Sequence, residues 1–143
     1  MLKIKAPYWW LRLVNRGRYA IVDPADNSLT FSRRLLRSLH LQDGKENYAL
    51  MFRVSSTGLF AFVANPEGME GADLRNIQIN QRLGTVGFET PAVQRIYHEY
   101  GLPVGEMSRM RVFRRKSGKI VYYEIQKLNR VKASEYDQEC IGE

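Results

Sequence analysis

Leu29-Thr30-Phe31-Ser32-Arg33-Arg34-Leu35-Leu36-Arg37-Ser38-Leu39 and Val86-Gly87-Phe88-Glu89-Thr90-Pro91-Ala92-Val93-Gln94-Arg95-Ile96-Tyr97 read as one local design used twice. Each opens on three residues with apolar positions two apart, the period of a short strand. Each then meets a helix start. Ser32 is a preferred N-cap, and Leu35, Leu36 and Leu39 recur at helical spacing. Thr90 caps the second helix with Pro91 at its first position, where the missing N–H costs nothing. Val93, Ile96, Tyr97 and Tyr100 form its apolar stripe, and Gly101 closes it.

Outward from these segments the chain reads as short strands broken by turn residues. Tyr19-Ala20-Ile21-Val22 precedes the turn Pro24-Ala25-Asp26-Asn27-Ser28. Gln42-Asp43-Gly44 ends the first helix. Leu50, Phe52 and Val54 then alternate with Met51 and Arg53, which predicts a half-buried strand with those three inward. Ser55-Ser56-Thr57-Gly58 turns into a strand over 59–64. In the second half Ile77-Gln78-Ile79 and Thr85-Val86-Gly87-Phe88 are strands. Met110 and Val112 alternate with Arg109 and Arg111, and Lys116-Ser117-Gly118 makes a hairpin into 120–125.

This order implies a mainly β chain with two short helices, α+β in class. It is built from duplicated ββαββ units that form one swapped-hairpin-like β-barrel. The expected organisation is an N-terminal strand over 1–17, with Trp9 and Trp10 on its two faces, and a first unit over 18–64. A connecting loop over 65–75, a second unit over 76–132 and an acidic flexible tail over 133–143 complete it.

The bulk numbers fit one globular domain: 143 residues, 44% apolar and 26% charged. No apolar run approaches the length of a membrane span, and no secretory signal pattern opens the chain, so a membrane partner is not expected. A lone cysteine, Cys140, forms no internal disulfide and suits a reducing, cytoplasmic setting. Charge is the informative quantity. The chain carries 22 bases and 15 acids, a net +7, and four of the acids fall in the last eleven residues. A cationic body with an acidic tail points to a polyanionic partner.

Two clusters concentrate that charge. Arg109, Arg111, Arg114, Arg115, Lys116 and Lys119 lie within eleven residues without an acid, and Phe113 shares the face of Arg109, Arg111 and Arg115. Cations interleaved with an aromatic ring suit nucleic acid, through phosphates and base stacking. Arg33, Arg34 and Arg37 form the second cluster, near a helix start. For each there is a plainer reading: a hairpin whose charges guard an edge strand, and a solvated helix face. Catalytic patterns are missing. His40 and His98 have no partner at metal-ligand spacing, and there is no phosphate-binding glycine loop, nucleophile elbow or CxxC. Asp23 and Asp26 read as a turn pair. No enzyme, metal or cofactor is expected.

A turn, a short strand, a capped helix, a Leu-x-x-Gly turn and a closing hairpin resemble the AbrB-type swapped-hairpin family of DNA-binding proteins. The stretches that carry this resemblance are Leu83-Gly84-Thr85-Val86-Gly87-Phe88 and Leu39-His40-Leu41-Gln42-Asp43-Gly44. The resemblance implies an interleaved barrel, here with both units on one chain as residues 18–64 and 76–126, and duplex DNA bound through arginines. Taken position by position, the turn arginine falls on Ser28 and Thr85. The helix pair falls on Leu36 with Arg37 and on Val93 with Gln94, so Arg37 alone matches. The expectation is therefore a non-enzymatic nucleic-acid-binding module, DNA ahead of RNA, with homo-oligomerisation open. The rival is a protein-interaction or structural protein of a mobile element or phage.

Overall fold

The structure is a computed structural model that describes residues 17–68, 73–80 and 84–127. Among the described residues nine strands and two helices follow one another. They are β1 (Tyr19–Asp23), β2 (Ser28–Phe31), α1 (Arg33–Leu39), β3 (Tyr48–Arg53), β4 (Phe60–Ala64), β5 (Leu74–Asn76), β6 (Gln78–Asn80), β7 (Thr85–Glu89), α2 (Ala92–Tyr100), β8 (Ser108–Ser117) and β9 (Ile120–Lys127). All pair antiparallel in one sheet of order β5-β3-β4-β9-β8-β1-β2-β7-β6.

The two outer strands of that order are consecutive in the chain. Asn76 ends one, Gln78 begins the other, and buried Ile77 joins them, its N–H donating to Asn47 O at 2.7 Å. The sheet therefore curls until its edges nearly meet, a barrel-like closure that leaves little open edge. The interior proves the curl. Phe31 of β2 stacks on Phe62 of β4 at 5.5 Å although three strands separate them in sheet order, and Phe88 and Tyr123 complete the cluster. Burying each such ring is worth about 1.5–3 kcal/mol, and each ring pair about 0.5–1.5 kcal/mol more.

Local chemistry sets the helices. Ser32 Oγ accepts from Leu35 N–H as the N-cap and donates to Gly17 O, tying α1 to the chain before β1. The helix ends at His40, in left-handed conformation at φ 52, earlier than the Gln42-Asp43-Gly44 stop expected from sequence. At α2 the expected cap shifts by one: Pro91 is the N-cap and makes no side-chain capping bond, while Thr90 Oγ1 accepts from Ala92 N–H in the turn before it, and Gly101 at φ 64 ends the helix.

Register places the two long hairpins at opposite ends. Ala61 faces Glu124 and Phe62 faces Tyr123, so the Gly58 turn lies toward Lys127 while the Gly118 turn lies at the far end. Tyr123 OH donates to Ser38 O, which puts α1 at the Gly118 end. Tyr100 OH bonds Ile125 O and Phe60 N–H, which puts α2 at the Gly58 end.

Three readings change. In β3 the inward face is Ala49 and Met51, not Leu50 and Phe52. Leu50 instead sits on the outer face between Val63 and Leu74, and Phe52 meets Tyr122 edge-on at 5.6 Å. Apolar residues cover both faces here, so alternation alone carries no inside-out signal. The connecting loop over 65–75 is interrupted by β5, and Ile77 separates two strands rather than centring one. The strand assigned to 1–17, apart from Gly17, and the tail over 133–143 lie outside the described residues.

Candidate nucleic-acid interface

β8 and β9 position the first basic cluster. Residues 108–111 are held by β1, Met110 and Arg111 also pair with β9 on the other side, and Val112 N–H donates to Arg18 O. Beyond Val112, among the described residues, the strand pairs with β9, which β4 joins at Tyr123 and Glu124, and from Arg115 the two strands form a ribbon closed by the pair Ser117–Ile120 around Gly118 at φ 62. Met110 and Val112 point into the core and are fully buried, as their alternation predicts.

The arginines on the other face differ from one another. Arg109 is only 7% exposed and lies over the Tyr19 ring at 5.4 Å, so it presents no surface to a partner. The sequence placed it in the basic face because period two gives direction but not depth. Arg111 and Arg115 each lie 5.0 Å from the centroid of half-buried Phe113. A base stacking on that ring would compete with guanidinium groups already there. Arg115 also donates to Glu124 at 3.4 Å. That carboxylate is 2% exposed and accepts from Thr57 and Gln126 as well. Three donors around one buried charge satisfy it.

Arg114, Lys116 and Lys119 are exposed and make no ion pair among the described residues. Arg114 stands opposite Tyr123 and Lys116 opposite Val121, on the ribbon face from which Tyr123 reaches Ser38 of α1. That helix carries the second cluster, with Arg33 and Arg37 exposed and Arg34 half-buried. Ser32 Oγ accepts from Tyr19 N–H, and Arg18 bonds Val112, so the start of α1 also sits beside the root of the ribbon. Two clusters far apart in sequence thus share one end of the barrel. Arg18, just before β1, is half-buried.

The other end is electrically quieter. Arg53, at the root of the Gly58 hairpin, pairs bidentately with Glu99 of α2 at 2.5 and 2.7 Å. The pair holds the carboxyl below its ordinary range and the guanidinium above its own. His40 and His98 are exposed, and among the described residues no three His, Cys, Asp or Glu side chains cluster as a metal site. Asp23 Oδ1 accepts from Ala25 N–H, the turn role read from sequence. No helix among the described residues is long and apolar enough to cross a membrane.

Sequence reading missed a polar groove of about 350 Å³ on the outer face of β2, β7 and β6, lined by Asp26, Ser28, Thr30, Gln78, Asn80 and Glu89 among others. The alternation of Ser28 and Thr30 with Leu29 and Phe31 was its only trace. Comparison with family models, with curated proteins and with solved structures finds no match.

Proposed function

We propose that this chain is a nucleic-acid-binding module, acting by binding rather than by catalysis, with DNA ahead of RNA as its polymer. One observation carries the reading: Arg33 and Arg37 on α1 and Arg114 and Lys116 on the ribbon occupy the same end of the barrel, linked by the bond from Tyr123 OH to Ser38 O. A two-stranded ribbon fits the major groove of a duplex, and flanking cations then meet phosphates.

The AbrB-like duplication is part of this proposal, and backbone geometry supports it. The β1–β2 and β6–β7 hairpins have matching registers, with Ile21–Thr30 corresponding to Gln78–Gly87 and Asp23–Ser28 to Asn80–Thr85. Left-handed residues recur in order: Asn27 with Gly84, His40 with Gly101, Gly44 with Gly105, and Gly58 with Gly118. The pairings β2–β7 and β4–β9 join equivalent strands of the two halves, as an interleaved dimer on one chain requires. The charges break the symmetry. Arg53 at the root of the first hairpin is bound to Glu99, and no cations stand where Arg114 and Lys116 stand in the second. A single reading surface suits non-palindromic or sequence-tolerant sites.

Fluorescence anisotropy against duplex and single-stranded oligonucleotides over a salt series tests the proposal. Binding that weakens steeply with salt, with a slope falling by up to about one per lost phosphate contact in Arg114→Ala and Lys116→Ala, is expected. Absence of binding to either polymer at low salt overturns it.

A further inference from the structure

The ribbon of β8 and β9 has a second face. Residues paired across two strands share a face, and Val112 with Ile125 and Arg114 with Tyr123 lie on the one that continues the barrel interior toward α1. The alternate pairs turn outward: Phe113 with Glu124, Arg115 with Tyr122, and Ser117 with Ile120. Rings and guanidinium groups alternate there. Phe113 lies 5.0 Å from both Arg111 and Arg115, and Arg115 stands opposite Tyr122. From β3, Phe52 reaches over β4, where its partner is the small Ala61, and meets Tyr122 edge-on at 5.6 Å and 70°. An edge-on pair covers one ring face where a stacked pair covers two. Phe113, Tyr122 and Phe52 are half-buried, so part of this aromatic surface is open to a partner.

We propose that this outer face stacks unpaired nucleic-acid bases, with Tyr122 as the stacking ring, so that the preferred ligand carries a single strand beside a duplex. This rests on the nucleic-acid reading and extends it to the form of the ligand. Bases within a duplex are stacked on one another, whereas unpaired bases splay onto aromatic rings and guanidinium planes. Tyr122 is the ring because Phe113 already has two guanidinium groups against it. Charge complementarity favours a polyanion over an apolar partner. Arg115 gives one nitrogen, Nη2, to Glu124 and keeps a side chain 47% exposed, and exposed Lys119 stands in the turn. Glu124 is 2% exposed and also accepts from Thr57 and Gln126, so its charge is not presented to a strand lying on this face. The two faces then divide the ligand. Arg114, Lys116 and α1 meet duplex phosphates on one side, and Tyr122 takes bases of the strand that leaves the duplex on the other.

Fluorescence anisotropy of the full chain at low salt tests this with three probes. These are a blunt duplex, the same duplex extended at either end of one strand by about ten thymidines, and that duplex with an equally long abasic extension. The thymidine extension should tighten binding about tenfold, and the abasic one, which keeps the phosphates without the bases, should recover little of that gain. Tyr122→Ala should remove the gain and leave blunt-duplex affinity unchanged, while Tyr122→Phe, which keeps the ring, should retain it. The abasic probe needs no variant, so it decides the matter even where Tyr122→Ala does not fold. Equal affinity for blunt and extended duplexes overturns this inference and leaves the nucleic-acid reading standing; absence of binding to all three probes overturns both. A gain that survives on the abasic extension, or in Tyr122→Ala, belongs to phosphates alone and overturns the stacking face. So does sedimentation showing a dimer that Tyr122→Ala dissolves, which assigns the face to a second copy of this chain.

Discussion

Arg53 and Glu99 come from opposite halves of the chain and meet in a bidentate pair at the Gly58 end of the barrel. Arg115 meets Glu124 within its own hairpin, and its neighbours Arg114 and Lys116 have no such partner among the described residues. Arg53 is thus neutralised at the Gly58 end, while Arg114 and Lys116 stand exposed toward the Gly118 end. Polyanion binding should follow that polarity. Glu99→Gln releases Arg53, but on the far end, so the salt slope of oligonucleotide binding should not change. The double variant Arg114→Ala with Lys116→Ala should lower it by up to about two. Both are read from anisotropy at several salt concentrations, and a slope raised by Glu99→Gln would move the binding surface to the Gly58 end.

Gly87 marks where the two halves touch most closely. A Cβ built there would lie 2.1 Å from Leu29 O and 2.6 Å from Thr30 Cα, both backbone atoms that cannot step aside. Gly87→Ala should therefore cost about 2–4 kcal/mol of stability, in the range of severe core overpacking. At Gly118, with φ 62 and open space around it, alanine meets only the left-handed penalty of about 1–2 kcal/mol. Denaturant midpoints of the two variants measure the difference. Equal losses would mean that β2 and β7 are not in close contact.

The barrel interior makes a similar claim. Phe62 touches Phe31, Phe88 and Tyr123, which come from three other strands. Phe62→Ala leaves a cavity at that meeting point and should cost about 3–5 kcal/mol. Phe52→Ala, on the half-buried outer face of β3, should cost clearly less, as urea unfolding will show.

Alkaline pH should loosen the Gly58 end. Burial pushes the Tyr97 and Tyr100 phenols above their ordinary value of 10.0. A raised folded-state value favours the neutral ring, so its stabilisation is full below the unfolded value and is lost as pH rises through the folded one. Tyr97 OH lies 2.9 Å from Val22 O and 3.1 Å from Ser108 Oγ, and it also bonds Glu106 O. Tyr97→Phe should lose about 1–3 kcal/mol at neutral pH and flatten the fall in thermal midpoint above pH 10. A variant whose alkaline fall matches the parent would assign that limb to other groups.

How much of this could be read from sequence differs by element. Ser32 announced its helix because capping is a local act, complete within four residues, whereas at the second helix the cap falls on Pro91 and not on Thr90. Met110 and Val112 gave their facing correctly because charged neighbours fixed the other face. Leu50 and Phe52 did not, because strands on both sides and Tyr122 above them bury the outer face as well. Burial of Arg109 under the sheet surface depends on Tyr19, which is remote in the chain. The same limit hid the groove: Ser28, Gln78 and Glu89 are brought together only by the β2–β7 and β6–β7 registers. For the basic clusters sequence supplied the membership, and only the fold placed both at one end.

That shared end yields the most demanding prediction. Tyr123 stands opposite Arg114 in the ribbon, and its hydroxyl donates to Ser38 O at 2.7 Å, one residue beyond Arg37. If α1 and the ribbon form one surface, this bond fixes the spacing of their cations, and a rigid polyanion such as duplex DNA rewards fixed spacing. Tyr123→Phe keeps the ring in the Phe62 stack and removes only the hydroxyl, so the barrel should unfold within about 1–2 kcal/mol of the parent. Duplex affinity should fall while affinity for a flexible single strand, which adapts to either spacing, should change less. A double-mutant cycle supplies the second readout. Arg37→Ala and Arg114→Ala should show a coupling energy of at least about 0.5 kcal/mol in duplex binding in the parent, and less in the Tyr123→Phe background. Strictly additive losses in the parent would mean that helix and ribbon bind independently, and the single surface at the Gly118 end would have to be given up.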